Sequence, residues 1–205
     1  MKKTNPLTFL SLLLALPAAA QIVPIGDVAA AREALRPACP VLDLSGATVG
    51  RGLFGGDFVV SIGGRDVGKV ERDGDGWSYK AGAAPQAKIE ITPSGSARTA
   101  TVTGCNGEIV GRVVEEDGSD SSRYRVENAS GRVIAETGAV DGTSFGLRGA
   151  GTAASVANAH WILDRYTLSS GGMDGRLVLA AALMNNDALY RRAAERRREN
   201  IGNRR

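Results

Sequence analysis

Near the C-terminus the chain runs RLVLAAALM, and from Leu177 to Met184 no side chain is polar. At 100° per residue, Leu177, Val178, Leu179, Leu183 and Met184 point all the way round a helix, whereas a helix lying on a sheet needs only one apolar stripe. The segment is also far short of the roughly 20 residues that a membrane span takes. It must therefore be surrounded by its own chain. Burying those five large side chains contributes roughly 8–15 kcal/mol, comparable with the net stability of a whole domain. Asp174 is placed to cap the helix.

What precedes it is β in texture. From Pro40 to Leu168, β-branched alternation is broken by Gly, Asp-Gly and Ser-Gly, the mark of strands joined by tight turns. The pattern predicts strands around Leu42, Phe58 to Ile62, Val67 to Arg72, Trp77 to Lys80, Lys88 to Ile91 and Ala100 to Thr103. It predicts a second half around Ile109 to Val114, Tyr124 to Val126, Val133 to Thr137, Ser144 to Leu147, Ser155 to Ala159 and Asp164 to Leu168. Four of these share a motif, DVGKV, IVGRV, VIAET and SVANA, with a small residue in the middle and a polar one after it. Alternation predicts that Gly68, Gly111, Ala135 and Ala157 face inward with Val70, Val113, Thr137 and Ala159, while Lys69, Arg112, Glu136 and Asn158 face water. Small inward residues imply that something bulky approaches the sheet; the alternative is that glycine marks bulges.

The order GDFVVSIGGRDVGKVE, then YRVENASGRVIAETG, then LDRYTLSSGGMDGRLVLAAALMNN resembles the LURP-one, tubby C-terminal and phospholipid scramblase superfamily. The ending, a strand with Tyr166, then Asp174, then RLVLAAALM, carries most of the likeness. The resemblance implies twelve strands wrapped around an apolar C-terminal helix, and an association with membrane phosphoinositides or phospholipid movement. No residue here matches a lipid-binding motif, and this chain continues past Asn186, where such chains usually stop. The expected fold is thus mainly β: an antiparallel barrel of about twelve strands enclosing the helix, which continues as an Arg-rich arm.

The N-terminus reads as a secretory leader: Lys2 and Lys3, the apolar run Leu7 to Leu16, then Pro17 and Ala18 to Ala20. Cleavage is expected after Ala20, with release beyond the inner membrane, periplasmic or extracellular. Next comes GDVAAAREALRP, a short helix capped by Asp27 and stopped by Pro37. The expected organisation is a leader over 1–20, an N-terminal segment over 21–40, the barrel with its helix over 41–186 and a basic tail over 187–205. Cys39 and Cys105 are the two cysteines; in an oxidising compartment they read as one disulfide, worth about 4 kcal/mol on the chain-entropy model. No CxxC spacing and a single histidine, His160, leave no expected metal site.

Charge is informative by location. Of 25 basic residues, seven lie at the end: Arg191, Arg192, Arg196, Arg197, Arg198, Arg204 and Arg205. Leu189, Tyr190, Ala193 and Ala194 recur at helical spacing among them, so DALYRRAAERRREN reads as an amphipathic continuation of the buried helix. Arg191, Arg192, Arg196, Arg197 and Arg198 are the candidate contacts for anionic lipid headgroups or an acidic envelope protein; nucleic acid is disfavoured. The alternatives are a solvated helix end or a lid over the acidic body.

Motifs of catalysis fail in context. GTSFG, Gly142 to Gly146, fits a nucleophile elbow but lacks a following helix, and no acid lies between Ser144 and His160. GRGLFG, Gly50 to Gly55, leads into a strand rather than a helix and reads as a flexible connection. RDGDGW and EEDGSDSS, with Asp73, Asp75, Glu115, Glu116, Asp117 and Asp120, read as turns rather than calcium loops. The sequon at Asn128 decides nothing. The expected function is a noncatalytic envelope module that binds a protein partner or an anionic lipid surface, with no cofactor. A structural envelope protein and a hydrolase with an unrecognised site stand as alternatives.

Overall fold

The computed structural model describes residues 39–51, 57–118, 120–160 and 164–202; of Ala159 and His160 it describes the backbone. The leader, its cleavage point and the helix over GDVAAAREALRP lie outside the described residues.

Alternation becomes twelve strands: β1 (Ala47–Arg51), β2 (Phe58–Ile62), β3 (Arg65–Asp73), β4 (Gly76–Ala81), β5 (Ala84–Ser94) and β6 (Ala97–Gly104). The second half comprises β7 (Ile109–Asp117), β8 (Ser122–Asn128), β9 (Val133–Glu136), β10 (Phe145–Gly149), β11 (Thr152–His160) and β12 (Arg165–Ser169). Consecutive strands pair antiparallel, and β1 closes the barrel by pairing with both β2 and β12. Outward positions are polar, such as Lys88, Glu90 and Thr92 on β5, while Ala87, Ile89 and Ile91 are buried. That is the reverse of the apolar-out pattern of membrane barrels.

Through the interior runs α1 (Gly175–Gly202), and every side chain from Leu177 to Met184 is at most 2 % exposed. Asp174 caps it: Oδ1 accepts from the Arg176 backbone N–H at 3.0 Å and from Arg176 Nε at 2.9 Å. Leu42 O, outside the helix, accepts the Gly175 N–H at 2.6 Å. A barrel of this many strands is too wide for side chains alone to fill, and the helix supplies the missing core. Among the described residues no helix is long and apolar enough to cross a membrane.

Three details differ from the sequence reading. The first strand is Ala47–Arg51, which includes part of the presumed glycine connection; the segment at Leu42 crosses the helix start as irregular chain. Its turn is set by Asp43 Oδ1, which accepts the Ser45 N–H at 2.9 Å, and by Gly46 at φ 76°. The inward pattern holds on β7 and β9, where Gly111, Val113 and Ala135 are buried, but β11 is reversed: Val156 is buried and Ala157 exposed. Val156 lies between Phe145 and Leu168 across the ladders, and burying it removes more apolar surface than burying Ala157. The approach inferred at the small residues is α1 at Gly111, where a Cβ would overlap Glu127 O and stand 3.1 Å from Leu177 Cδ2. At Gly68 it is instead the Tyr79 ring and Lys80 O.

Cys39 and Cys105 form the expected disulfide, with Cα atoms 5.8 Å apart. It ties the segment ahead of β1 to the β6–β7 turn and points to a noncytoplasmic compartment.

Candidate functional site

The polar chemistry gathers at the mouth where α1 leaves the barrel. Several inward columns end there in a charge: Ala47, Val49, Arg51 on β1; Val70 then Arg72 on β3; Gly111, Val113, Glu115 on β7; and, from the other direction, Arg98, Ala100, Val102 on β6. Register makes neighbours of these ends. Arg98 lies opposite Glu115 and Glu115 opposite Tyr124; Arg51 lies opposite Phe58, and Arg72 opposite Trp77.

On one side these residues clamp the helix. Glu115, fully buried, accepts from Arg191 Nη2 at 3.0 and 3.1 Å, from Arg98 Nη1 at 3.4 Å and from Ser122 Oγ at 3.1 Å. Arg191 Nη1 donates to Asp117 Oδ2 at 2.7 Å, and Arg98 Nη2 donates to Asp187 Oδ2 at 2.7 Å. Arg192, 4 % exposed, donates through Nη1 to Ser122 Oγ at 2.7 Å and Asp117 Oδ1 at 3.3 Å. Below the clamp the first polar residues after the apolar run of α1 meet inward tyrosines. Tyr124 Oη donates to Asn185 Oδ1 at 3.2 Å and Tyr166 Oη to Asn186 Oδ1 at 2.6 Å.

Burial sets the titration of this cluster. It pushes Glu115 above the usual carboxylate range, against the pull of Arg191, Arg98 and Ser122. Arg191 is drawn down by burial, yet Glu115 and Asp117 outweigh that and hold it above its ordinary value. The Tyr124 and Tyr166 hydroxyls are both raised, chiefly by burial.

On the other side lies a cleft of about 310 Å³ lined by Arg51, Phe58, Val70, Arg72, Trp77, Asn186, Asp187 and Tyr190. The Arg51 guanidinium stands over the Phe58 ring at 4.8 Å and the Tyr190 ring at 5.7 Å; Arg72 stands over Trp77 at 4.8 Å. Tyr190 Oη donates to Asp164 Oδ2 at 2.6 Å, a bond that raises the Tyr190 hydroxyl above its ordinary value.

No family model, no curated protein and no solved structure matches this chain.

The five arginines singled out in the sequence divide in two. Arg191 and Arg192 are fastened to the mouth and do not belong to a free arm, because the buried Glu115 and the half-buried Asp117 on β7 draw them in. Arg196, 64 % exposed, approaches Asp120 Oδ1 at 3.9 Å, and Arg197 and Arg198 are exposed. Ser144 accepts the Asn158 N–H at 2.9 Å, and strand β10 follows it instead of a helix. The side chain of His160 lies outside the described residues. Glu115, Arg51, Arg72 and Trp77 were not picked out as site residues, although extending the inward parity of Gly111 and Val113 by two positions lands on Glu115.

Proposed function

We propose that this protein is an exported, noncatalytic envelope module whose contact with an anionic surface is the outer part of α1. The observation that carries this reading is how that segment is presented. Arg191 and Arg192 anchor the helix at the mouth, and beyond them every described residue from Ala193 to Ile201 is exposed. At 3.6 residues per turn, Ala193, Ala194, Arg197 and Ile201 share one sector of about 100°. Arg196 and Arg198 flank that sector, while Glu195 and Glu199 fall on the opposite side. Three arginines on and beside that sector, with the two acids behind it, suit electrostatic contact with an anionic lipid surface. The likeness of the ending, Tyr166 through Met184, to the LURP-one, tubby C-terminal and phospholipid scramblase superfamily supports the lipid as the surface concerned. The leader at residues 1–20 supports an envelope location.

Sedimentation with vesicles of phosphatidylglycerol and phosphatidylcholine tests it. The intact protein binds, and binding weakens steeply as salt rises. Replacing Arg196, Arg197 and Arg198 together by Gln lowers the affinity about 100-fold, from the contribution expected of three arginines near an anionic surface. Retained binding in that variant overturns the assignment. Deleting 187–205 is the wrong test, because it also removes the clamp.

A further inference from the structure

Arginines at the mouth fall into two classes. Arg98 and Arg191 each donate to a carboxylate at 2.7 Å, and Arg192 donates to Ser122 at 2.7 Å. The guanidiniums of Arg51 and Arg72 donate a hydrogen bond to no described residue. Their nearest carboxylate oxygens are Asp164 Oδ2 at 3.7 Å and Asp187 Oδ1 at 3.9 Å, beyond hydrogen-bond reach. Arg51 Nε is buried with no described partner, as are Arg191 Nε and Arg192 Nε and Nη2, so what sets Arg51 and Arg72 apart is that no N–H of either guanidinium has an acceptor among the described residues. The neighbouring carboxylates are taken: Asp187 by Arg98 at 2.7 Å, and Asp164 by the Tyr190 hydroxyl at 2.6 Å. Both guanidiniums nonetheless line the same cleft, each held over an aromatic ring.

Stacking uses the face of a guanidinium and leaves its N–H edge free, and that edge fits the paired oxygens of a carboxylate or phosphate. Here both guanidiniums are positioned by cross-strand rings with their nearest carboxylates at the limit of an ion pair, and the side chains, 35 % exposed for Arg51 and 52 % for Arg72, keep part of that edge open to solvent in the cleft. Below them Phe58, Val70 and Trp77 form an apolar floor, with Phe58 and Val70 3 % and 0 % exposed. At about 310 Å³ the cleft lies at the small end of ligand sites.

We propose that the cleft between β1–β4 and the exit of α1 binds a small organic anion, whose carboxylate or phosphate meets Arg51 and Arg72 while a flat apolar body lies toward the exposed Tyr190 ring. This site is separate from the exposed arginines of the helix end and does not depend on them. The clamp on the other side of α1 keeps Asn186, Asp187 and Tyr190 in place as its far wall.

The test is an NMR titration of the full chain with benzoate, phenyl phosphate, inorganic phosphate and uncharged benzamide. Its reporters are the Arg51 Nε–H and the Trp77 indole N–H, the latter distinguished from that of Trp161 by a Trp161→Phe background. Benzoate or phenyl phosphate shifts both reporters saturably, with a dissociation constant of about 1 mM or below. Inorganic phosphate binds at least about tenfold more weakly, and benzamide produces no saturable shift. Arg51→Gln and Arg72→Gln each weaken binding about tenfold or more. Arg51→Lys, which keeps the charge without the fork, also binds less tightly than the parent. Vesicle binding is unchanged in these variants, and anion binding is unchanged in the Arg196, Arg197, Arg198 variant. Absence of a saturable shift in the parent overturns the site, as does an equal response to benzamide or an undiminished affinity in Arg51→Gln and Arg72→Gln. Which of benzoate and phenyl phosphate binds more tightly tells a carboxylate ligand from a phosphate ester.

Discussion

A single methyl group measures how closely α1 approaches the wall. On Gly111 a Cβ would overlap Glu127 O and crowd Leu177 Cδ2 at 3.1 Å, whereas on Gly146 the nearest atom, Ala154 O, stands 3.9 Å away. Gly111→Ala should therefore lower the unfolding free energy by about 1–3 kcal/mol through overpacking. Gly146→Ala should leave it unchanged or raise it by about 0.5 kcal/mol, because alanine loses less backbone freedom than glycine in a strand. Urea denaturation of the two variants separates them; equal effects would mean that Gly111 is crowded neither by Glu127 O on β8 nor by Leu177 on α1. Glu115 gives the second prediction at this scale. Glu115→Gln keeps the shape of the side chain and an acceptor oxygen while removing its charge and its titration. The pH trend is the unusual one. A carboxyl whose folded pKa lies above its unfolded value contributes most below the unfolded value, 4.5, and loses that contribution as pH rises through the folded value. Relative to Glu115→Gln, the parent should hence gain stability as pH falls from 7 toward 5. A parent that loses stability relative to this variant on acidification would show that Arg98, Arg191 and Ser122 outweigh burial.

As an element, α1 is three different helices joined end to end. Its first turn is capped, its middle is encircled and its last third is in water. Truncation after Arg192 should leave the melting temperature within about 2 °C of the intact chain, since nothing from Ala193 to Ile201 is buried. Arg192→Ala, which removes the donor to Ser122 and Asp117, should lower it by about 5 °C or more. Differential scanning calorimetry decides between them. The middle was legible from eight residues because a greasy segment without a polar side admits one environment. The strands were legible wherever a large apolar residue marked the inward face. They were misread where small residues stood in for that mark, at Ala157 beside the larger Val156, and at Gly50 and Arg51, taken for a glycine linker. The clamp was illegible for another reason. EEDGSDSS has the composition of a turn, which hides that the inward parity of Gly111 and Val113 continues to Glu115, and that Glu115 stands between Arg98 and Tyr124 is set by a register no local pattern shows. The arginines of the tail were recognised as a group, but which of them a buried carboxylate claims depends on the length of helix inside the barrel.

At the scale of the whole molecule, closure makes the helix a hostage of the sheet. Each strand has a partner on both sides, so α1 cannot leave until a ladder has opened and the Arg191 and Arg192 bonds have broken. Amides from Leu177 to Met184 should then exchange with solvent only through global unfolding, with the same free energy as the central amides of β6 and β7. Amides from Ala193 to Ile201 should exchange through local fraying, orders of magnitude sooner. Reduction of Cys39–Cys105 sharpens the comparison. It frees a closure that spans 66 residues and should lower the global free energy by about 4 kcal/mol. The helix and strand amides should fall together by that amount, because no smaller opening exposes one without the other. Hydrogen exchange followed by mass spectrometry reads both classes in one experiment. If reduction speeds exchange in α1 while β6 and β7 keep their protection, the helix opens independently, and encirclement is not what holds the apolar segment in place.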